Sequence, residues 1–347
     1  MNAIDPALTS ASRDGAIDMT HGSGGRAMAE LIRNMFRKHF DNSHLAAGND
    51  GAVLRLPPGR VVVSTDGHVI SPLFFPGGDI GCLAVHGTIN DVAMMGATPL
   101  YLTAAFIIEE GFALADLERI VASMAAAARE AGVAIVTGDT KVVEKGKGDG
   151  IFITTTGFGV VSDEIALSGD RARPGDSIVV SGSIGDHGIA VLSKRQNLEF
   201  ETEIRSDTAA LHGLVADMLS AVPGVRVLRD PTRGGLATTL NEIAQQSQVG
   251  MVLDERAIPI KPDVAAACEL LGLDPLYVAN EGKLIAICRA ADAERLVAVM
   301  RAHARGGDAA IIGEVVEDRH AMVQMRTKFG GARVVDWLAG EQLPRIC

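Results

Sequence analysis

The chain has 347 residues, with 43 acidic and 32 basic side chains and a formal net charge of −11. That balance argues against a nucleic-acid surface or an anionic membrane as partner, so any phosphate it binds must be held by a local arrangement. Nearly half of the residues are apolar, and the length exceeds one compact core of ordinary size, so two domains are expected.

Residues 1–14 are small and polar and read as a disordered leader. His21-Gly22-Ser23-Gly24-Gly25-Arg26 then enters a helical pattern over 27–38, with Met28, Leu31, Ile32, Met35 and Phe36 at helical spacing. A glycine turn that opens a helix offers N–H groups to an anion, which makes Gly24 and Gly25 nucleotide-contact candidates, although the same glycines suit a plain turn. Strands are expected over 52–54 and 60–65, with Pro57-Pro58-Gly59 between them and Asp50 and Asp66 flanking them. Asp79 caps a helix over 80–95, stopped by Gly96. On that helix Asp91 lines up with Ala84 and Gly87, and the other faces are also largely apolar. A carboxylate there needs a partner or a metal, with Asn90 beside it.

A strand over 100–108, an alanine-rich helix over 115–131 and a strand over 133–137 follow, the last ending in Gly138-Asp139-Thr140-Lys141. Another strand spans 150–161. Asp50, Asp66, Asp91 and Asp139 thus lie at or near element ends, a set that suits two magnesium ions on a nucleotide, although turns favour aspartate anyway.

The polar stretch 162–176 is the expected domain boundary. Beyond it, a strand over 177–181 leads through Gly182-Ser183-Ile184-Gly185-Asp186-His187-Gly188 into a helix, with a spacing that matches neither a P-loop nor the dinucleotide fingerprint. Helices over 207–220, 235–246, 264–271 and 292–303 mix with strands over 225–228, 251–253, 284–288 and 309–315. Asp230-Pro231-Thr232-Arg233-Gly234-Gly235 is a rigid turn and a further anion contact, and Asn280-Glu281-Gly282-Lys283 places an acid in a loop. The expected division is a leader and glycine segment at 1–42, domains at 43–163 and 164–330, and a tail at 331–347.

Cys82, Cys268, Cys288 and Cys347 show no C-x-x-C pair and no zinc-ligand spacing, which reads as reduced thiols in a cytoplasm. No apolar stretch approaches the length of a membrane span. The chain ends in Leu343-Pro344-Arg345-Ile346-Cys347. Pro344 favours an extended approach, so the thiol is expected to hang free, with a reach from Trp337 on the order of 35 Å at ~3.3–3.6 Å per residue. The adjacent terminal carboxylate raises the thiol pKa, which suits a carrier better than a nucleophile. The tail becomes functional if the same protein has a pocket to receive it.

His21-Gly22-Ser23-Gly24-Gly25, Asn49-Asp50-Gly51-Ala52, Ser64-Thr65-Asp66-Gly67-His68, Asn90-Asp91-Val92-Ala93, Gly138-Asp139-Thr140-Lys141, Asp230-Pro231-Thr232-Arg233-Gly234-Gly235-Leu236 and the final Pro344-Arg345-Ile346-Cys347 together resemble the hydrogenase maturation factor HypE family, over roughly residues 17–347. The wider superfamily holds aminoimidazole ribonucleotide synthetase, selenophosphate synthetase and thiamine-monophosphate kinase, whose shared segments imply ATP and magnesium. Selenophosphate synthetases carry their reactive residue near the N-terminus, whereas the first cysteine here is Cys82.

The resemblance implies a two-domain α+β (mixed α/β) fold of the aminoimidazole ribonucleotide synthetase type with a flexible C-terminal tail. It also implies a homodimer joined through the N-terminal domains, with ATP near that interface. In the family a HypF-type carbamoyltransferase places a carboxamide on the terminal thiol. ATP-dependent dehydration then gives a thiocyanate, and the cyano group passes to iron held by HypC and HypD. Carried over by similarity, Cys347 is the carrier, Glu281 the base and Lys141 its relay. Asn90, Asp91, Thr140, Gly24 and Gly25 contact the nucleotide, and Asp50, Asp66, Asp91 and Asp139 hold magnesium. A superfamily kinase acting on a small molecule, or an ATP-gated carrier without catalysis, are the alternatives.

Overall fold

The computed structural model describes residues 15–198, 203–340, 343 and 345–347. The leader at 1–14 and Pro344 lie outside the described residues.

The first domain is built on four strands that alternate inward and outward side chains. These are β1 (Arg60–His68), β4 (Thr98–Glu109), β5 (Ala134–Val143) and β6 (Ile151–Val161), with β2 (Phe74–Phe75) and β3 (Gly78–Asp79) as a separate small pair. The sheet order is β1-β6-β4-β5. Its pairs are antiparallel except β4 with β5, which the Leu114–Glu130 helix connects as a crossover. Leu102, Ala104, Phe106 and Ile108 of β4 pack with Leu83, Ile89, Leu117, Ile120 and Met124 of the Ile80–Met94 and Leu114–Glu130 helices. The opposite face is open and apolar, with Val61, Val63 and Ile107 exposed by 52%, 54% and 43%.

Three local expectations change. No strand forms over 52–54, because no partner strand lies beside that segment among the described residues, and Val53 stands in solvent. The strand expected to stop at 137 continues to Val143. It passes through Gly138, whose missing Cβ would lie 2.1 Å from the Ala104 carbonyl oxygen, so Asp139 is an interior strand residue. The cut expected at residue 42 is not a boundary in the packing, since Ile17, Leu31, Met35, Phe36 and Phe40 share the core of Phe106 and Leu117.

The second domain is a seven-stranded sheet in the order β13-β12-β9-β11-β7-β10-β8. The strands are β7 (Asp176–Val180), β8 (Val227–Arg229), β9 (Gly250–Asp254), β10 (Ile285–Arg289), β11 (Ala310–Val316), β12 (Val323–Arg326) and β13 (Ala332–Val334). Period-two alternation loads both faces. Ile178, Val180, Ile285 and Ile287 meet Leu236, Leu240 and Ile243 of the Gly235–Ser247 helix, while Val179, Ala286 and Cys288 meet the His212–Ala221 and Ala290–Ala302 helices. The expected tail at 331–347 therefore begins as an edge strand, β13. The two domains meet along the Ile80–Met94 helix, which the first domain wraps on one side and the His212–Ala221 helix and β8 meet on the other. That is why its polar residues near the C-terminal end sit at a junction.

Candidate active site

The tail that sequence leaves hanging is seated in the structure. Ile346 is 3% exposed and forms an antiparallel bridge with Ile70, just beyond the end of β1. Val69 N–H donates to the terminal carboxyl oxygen of Cys347 at 3.3 Å, and Ser71 N–H donates to the Arg345 carbonyl at 3.3 Å. Arg195 Nη2 donates to that same carbonyl at 2.7 Å, and the Arg345 guanidinium lies 2.5 Å from Asp149. Free backbone groups beyond β1 and an apolar slot for Ile346 give the chain end somewhere to go, which composition alone does not reveal.

This seat brings Cys347 within electrostatic reach of Glu281, Arg233, Asp66 and Asp230. Burial, and then the Glu281 charge, push its thiol far above the usual cysteine range, with Arg233 opposing. Beside it lies a cavity of about 330 Å³ lined by Gly67, Arg233, Gly234, Tyr277 and Ala279. Glu281 is 4% exposed, and its Oε1 has no hydrogen-bond partner among the described residues. Burial first, then the Asp230, Asp207 and Asp66 charges, hold its carboxyl well above the ordinary range.

The loop that carries Glu281 is rigidly held. Asn280 accepts from Gly185 N–H at 2.7 Å and donates to the Pro231 and Val278 carbonyls at 2.9 and 3.1 Å. Glu281 N–H donates to Asp207, which is itself paired with Lys283 at 3.1 Å. Gly282 is required there, since a Cβ would lie 1.8 Å from the Asp207 carbonyl oxygen. Asn90, 1% exposed, donates to the Ala209 and Glu281 carbonyls at 2.9 and 3.3 Å and accepts from Leu211 N–H at 2.8 Å. Its amide is thus committed to holding the Glu281 loop, and the expected phosphate contact is corrected to a positioning role.

Asp66, Asp91 and Asp230 gather at the same junction. Burial raises all three, and mutual repulsion adds to the rise in Asp91 and Asp230, the latter to about 7. Thr88 Oγ1 donates to Asp66 at 3.1 Å, and Ser64 Oγ donates to Asp91 at 2.6 Å. Neighbouring His68 is held neutral, its pKa lowered to about 4 by burial and by Arg233. Among the described residues, no three His, Cys, Asp or Glu side chains stand close enough to hold a metal by themselves. An all-oxygen set whose charges repel one another nevertheless fits a magnesium ion that takes its other ligands from phosphate and water.

A carboxyl whose folded pKa exceeds its unfolded value is destabilising once ionised. Wild-type stability is therefore lost as pH rises from about 4 toward 7 through Asp230. In metal-free protein, Asp230→Asn is expected to raise Tm by several degrees at pH 8, with the gain disappearing near pH 4. A thermal melt across pH checks this, and a gain that grows toward acid would contradict it.

The remaining expected site residues lie elsewhere in the chain. Asp139 and Lys141 pair with each other at 3.0 Å on β5 and align with Ala105 and Ile107 on the open sheet face. The β5 edge is three strand spacings from β1, about 14 Å at ~4.8 Å each. Thr140 is buried beside them, and the Gly24-Gly25 turn sits at the same edge, where neighbouring Gly22 presses on Val142. Asp50 is on the exposed segment before β1. One chain therefore brings together Asp66, Asn90, Asp91, Glu281 and Cys347, and leaves Gly24, Gly25, Asp50, Asp139, Thr140 and Lys141 apart from them. Asp230 and Arg233 complete the cluster; sequence marked their turn as an anion contact without assigning Asp230 to the metal.

The family model described as AIR synthase related protein, N-terminal domain, matches residues 48–161, and the corresponding C-terminal domain matches 173–326. The chain is 71% identical over 336 residues to the carbamoyl dehydratase HypE of Cupriavidus necator, covering 96% of each chain. A crystal structure of the hydrogenase maturation protein HypE in complex with ATP aligns with a TM-score of 0.92 at 54% identity, over 95% of this chain and 99% of that one. HypE in a crystallised HypE-HypF complex aligns with a TM-score of 0.79 at 50% identity, over 89% and 99%. These matches run along nearly the whole chain, which belongs to the HypE carbamoyl dehydratase family.

Proposed function

We infer that the protein uses ATP to dehydrate a carboxamide carried on the thiol of Cys347, leaving a thiocyanate for delivery as a cyanide ligand in hydrogenase maturation. The observation that carries this is the seated chain end, which places Cys347 in a cavity with Arg233 and within electrostatic reach of Glu281, a buried carboxyl whose Oε1 has no partner among the described residues. Neither alternative accounts for that seat, because a small-molecule kinase has no use for its own chain end in the pocket, and a passive carrier has no use for an unpaired acid beside it.

The chemistry balances with ATP as co-substrate. The γ-phosphoryl group transfers to the carboxamide oxygen, the carbon–oxygen bond then breaks with phosphate as leaving group, and the nitrogen gives up both protons as the nitrile forms. ADP and phosphate are the other products. Glu281 takes protons from the amide nitrogen, and its raised pKa makes it a stronger base than an exposed carboxylate. Arg233 lies in the same pocket as a cation for developing negative charge. Asp66, Asp91 and Asp230 would hold magnesium, which supplies positive charge to the phosphate oxygens.

Asp139, Lys141, Thr140 and the Gly24-Gly25 turn reach such a site from a second copy. The open apolar face of the four-stranded sheet supports a homodimer, and pairing two such faces allows β5 of one copy to approach β1 of the other. Asp50 reaches the site only if its exposed segment closes on the nucleotide. A HypF-type carbamoyltransferase loads the thiol, and a HypC–HypD type iron scaffold receives the product. The four free cysteines suit a cytoplasmic setting.

Phosphate release tests the reaction. Protein carrying the carboxamide should release one phosphate per thiocyanate formed when ATP and magnesium are added, and Cys347→Ser should release none under the same treatment. Turnover of ATP with unchanged rate in Cys347→Ser would contradict the inference.

A further inference from the structure

The Gly182–Gly188 turn is glycine-rich, and three of its backbone donors are committed within the protein. Ile184 N–H donates to the Pro259 carbonyl, Gly185 N–H to Asn280 and Gly188 N–H to the Ala279 carbonyl. What the turn offers outward is His187, the second residue of the Asp186–Gln196 helix. Its ring is fully buried and meets Phe75 edge-on at 5.4 Å. Nε2 lies 2.8 Å from the Ile346 carbonyl oxygen, and Nδ1 lies 2.8 Å from Ser206 Oγ.

A carbonyl can only accept, so Nε2 carries the proton, Nδ1 is bare, and the Ser206 hydroxyl donates to it. Ser206 is fixed in turn by its N–H to the Pro76 carbonyl at 2.8 Å and by Thr208 N–H donating to its Oγ at 3.1 Å. Next to the histidine, Gly188 leaves the tail room to pass, since a Cβ would lie 3.1 Å from Leu343 Cδ1. Burial favours the neutral ring that this arrangement needs.

We propose that His187, oriented by Ser206, is a positioning residue that seats the tail through the Ile346 carbonyl and so sets Cys347 beside Glu281. The proposal rests on the reading of Cys347 as the carboxamide carrier. It assigns His187 to tail capture.

The test uses the full-length protein with ATP and magnesium, and compares iodoacetamide labelling of each cysteine by peptide mass. His187→Ala should raise labelling of Cys347 about tenfold, the size expected for loss of one buried hydrogen bond. Labelling of Cys82, Cys268 and Cys288 should stay at the wild-type level. Dehydration of preloaded protein should slow by a similar factor, with ATP affinity and carbamoyl loading unchanged, and His187→Gln, whose amide N–H can reach the carbonyl, should recover much of the loss. Unchanged Cys347 labelling in His187→Ala would overturn the proposal. Should His187→Ala expose all four cysteines by unfolding, Ser206→Ala decides, with a two- to threefold rise at Cys347 alone expected from loosening the tautomer and no rise overturning the assignment. Selective labelling in protein that never dehydrates its carboxamide would uphold the seat and overturn the dehydratase reading.

Discussion

Glu281→Gln is expected to slow nitrile formation on carboxamide-loaded protein by about two to four orders of magnitude, the range for loss of a general base. ATP binding should remain, because the change preserves size at a position where Oε1 makes no hydrogen bond among the described residues. The pH dependence gives a second signature. Burial and three neighbouring carboxylates favour the protonated acid, so the wild-type rate should rise with pH as Glu281 ionises, through a midpoint well above the ordinary carboxylate range. Gln has no proton to lose, and that limb should vanish in the residual rate. Single-turnover measurements from pH 5 to 9 read both effects. A Gln variant with wild-type rate and profile would remove Glu281 from the chemistry.

The second large effect comes from mixing two inactive proteins. If Lys141 serves the site of its partner, Lys141→Ala and Glu281→Gln protomers in one dimer rebuild one intact site, holding Glu281 from the first and Lys141 from the second. Each variant alone should be nearly inactive. Co-refolded or co-expressed mixtures should recover up to about a quarter of wild-type activity, the statistical yield of one good site in half of the dimers. The separation of Lys141 from the Glu281 cluster within one chain motivates this arrangement. Complementation that fails in dimers verified as mixed would place Lys141 in the site of its own chain or outside the mechanism.

The strand begun at Arg60 and the helical spacing around Asp91 were legible in the first domain, and Asp79 capped its helix as its position suggests, but the strand expected to end at 65 runs on to His68, so Asp66 lies within it. The strand through Asp139 ran past its expected end because Gly138 allows the chain to lie close along β4, a tertiary fit with no local signal. Asn90 looked like a ligand residue because an amide beside an aspartate invites that reading. Its partners at Ala209, Leu211 and Glu281 are more than a hundred residues away and invisible to spacing. The tail was readable as chemistry and misread as geometry. Cys347 announces a thiol at the chain end, but its seat depends on free backbone at Val69 and Ser71 and on His187, none of which neighbours it in sequence. Asp230 was visible in its motif, and only folding shows that it shares a charge cluster with Asp66 and Asp91.

The most direct test of the central claim is the intact mass of the protein at the chain end. Protein loaded by a carbamoyltransferase, repurified and then given ATP and magnesium should lose the mass of one water, localised to the peptide that ends in Cys347, and only when ATP is hydrolysed. A carboxamide that stays in place while ATP is consumed, or a mass change on any residue other than Cys347, would contradict it.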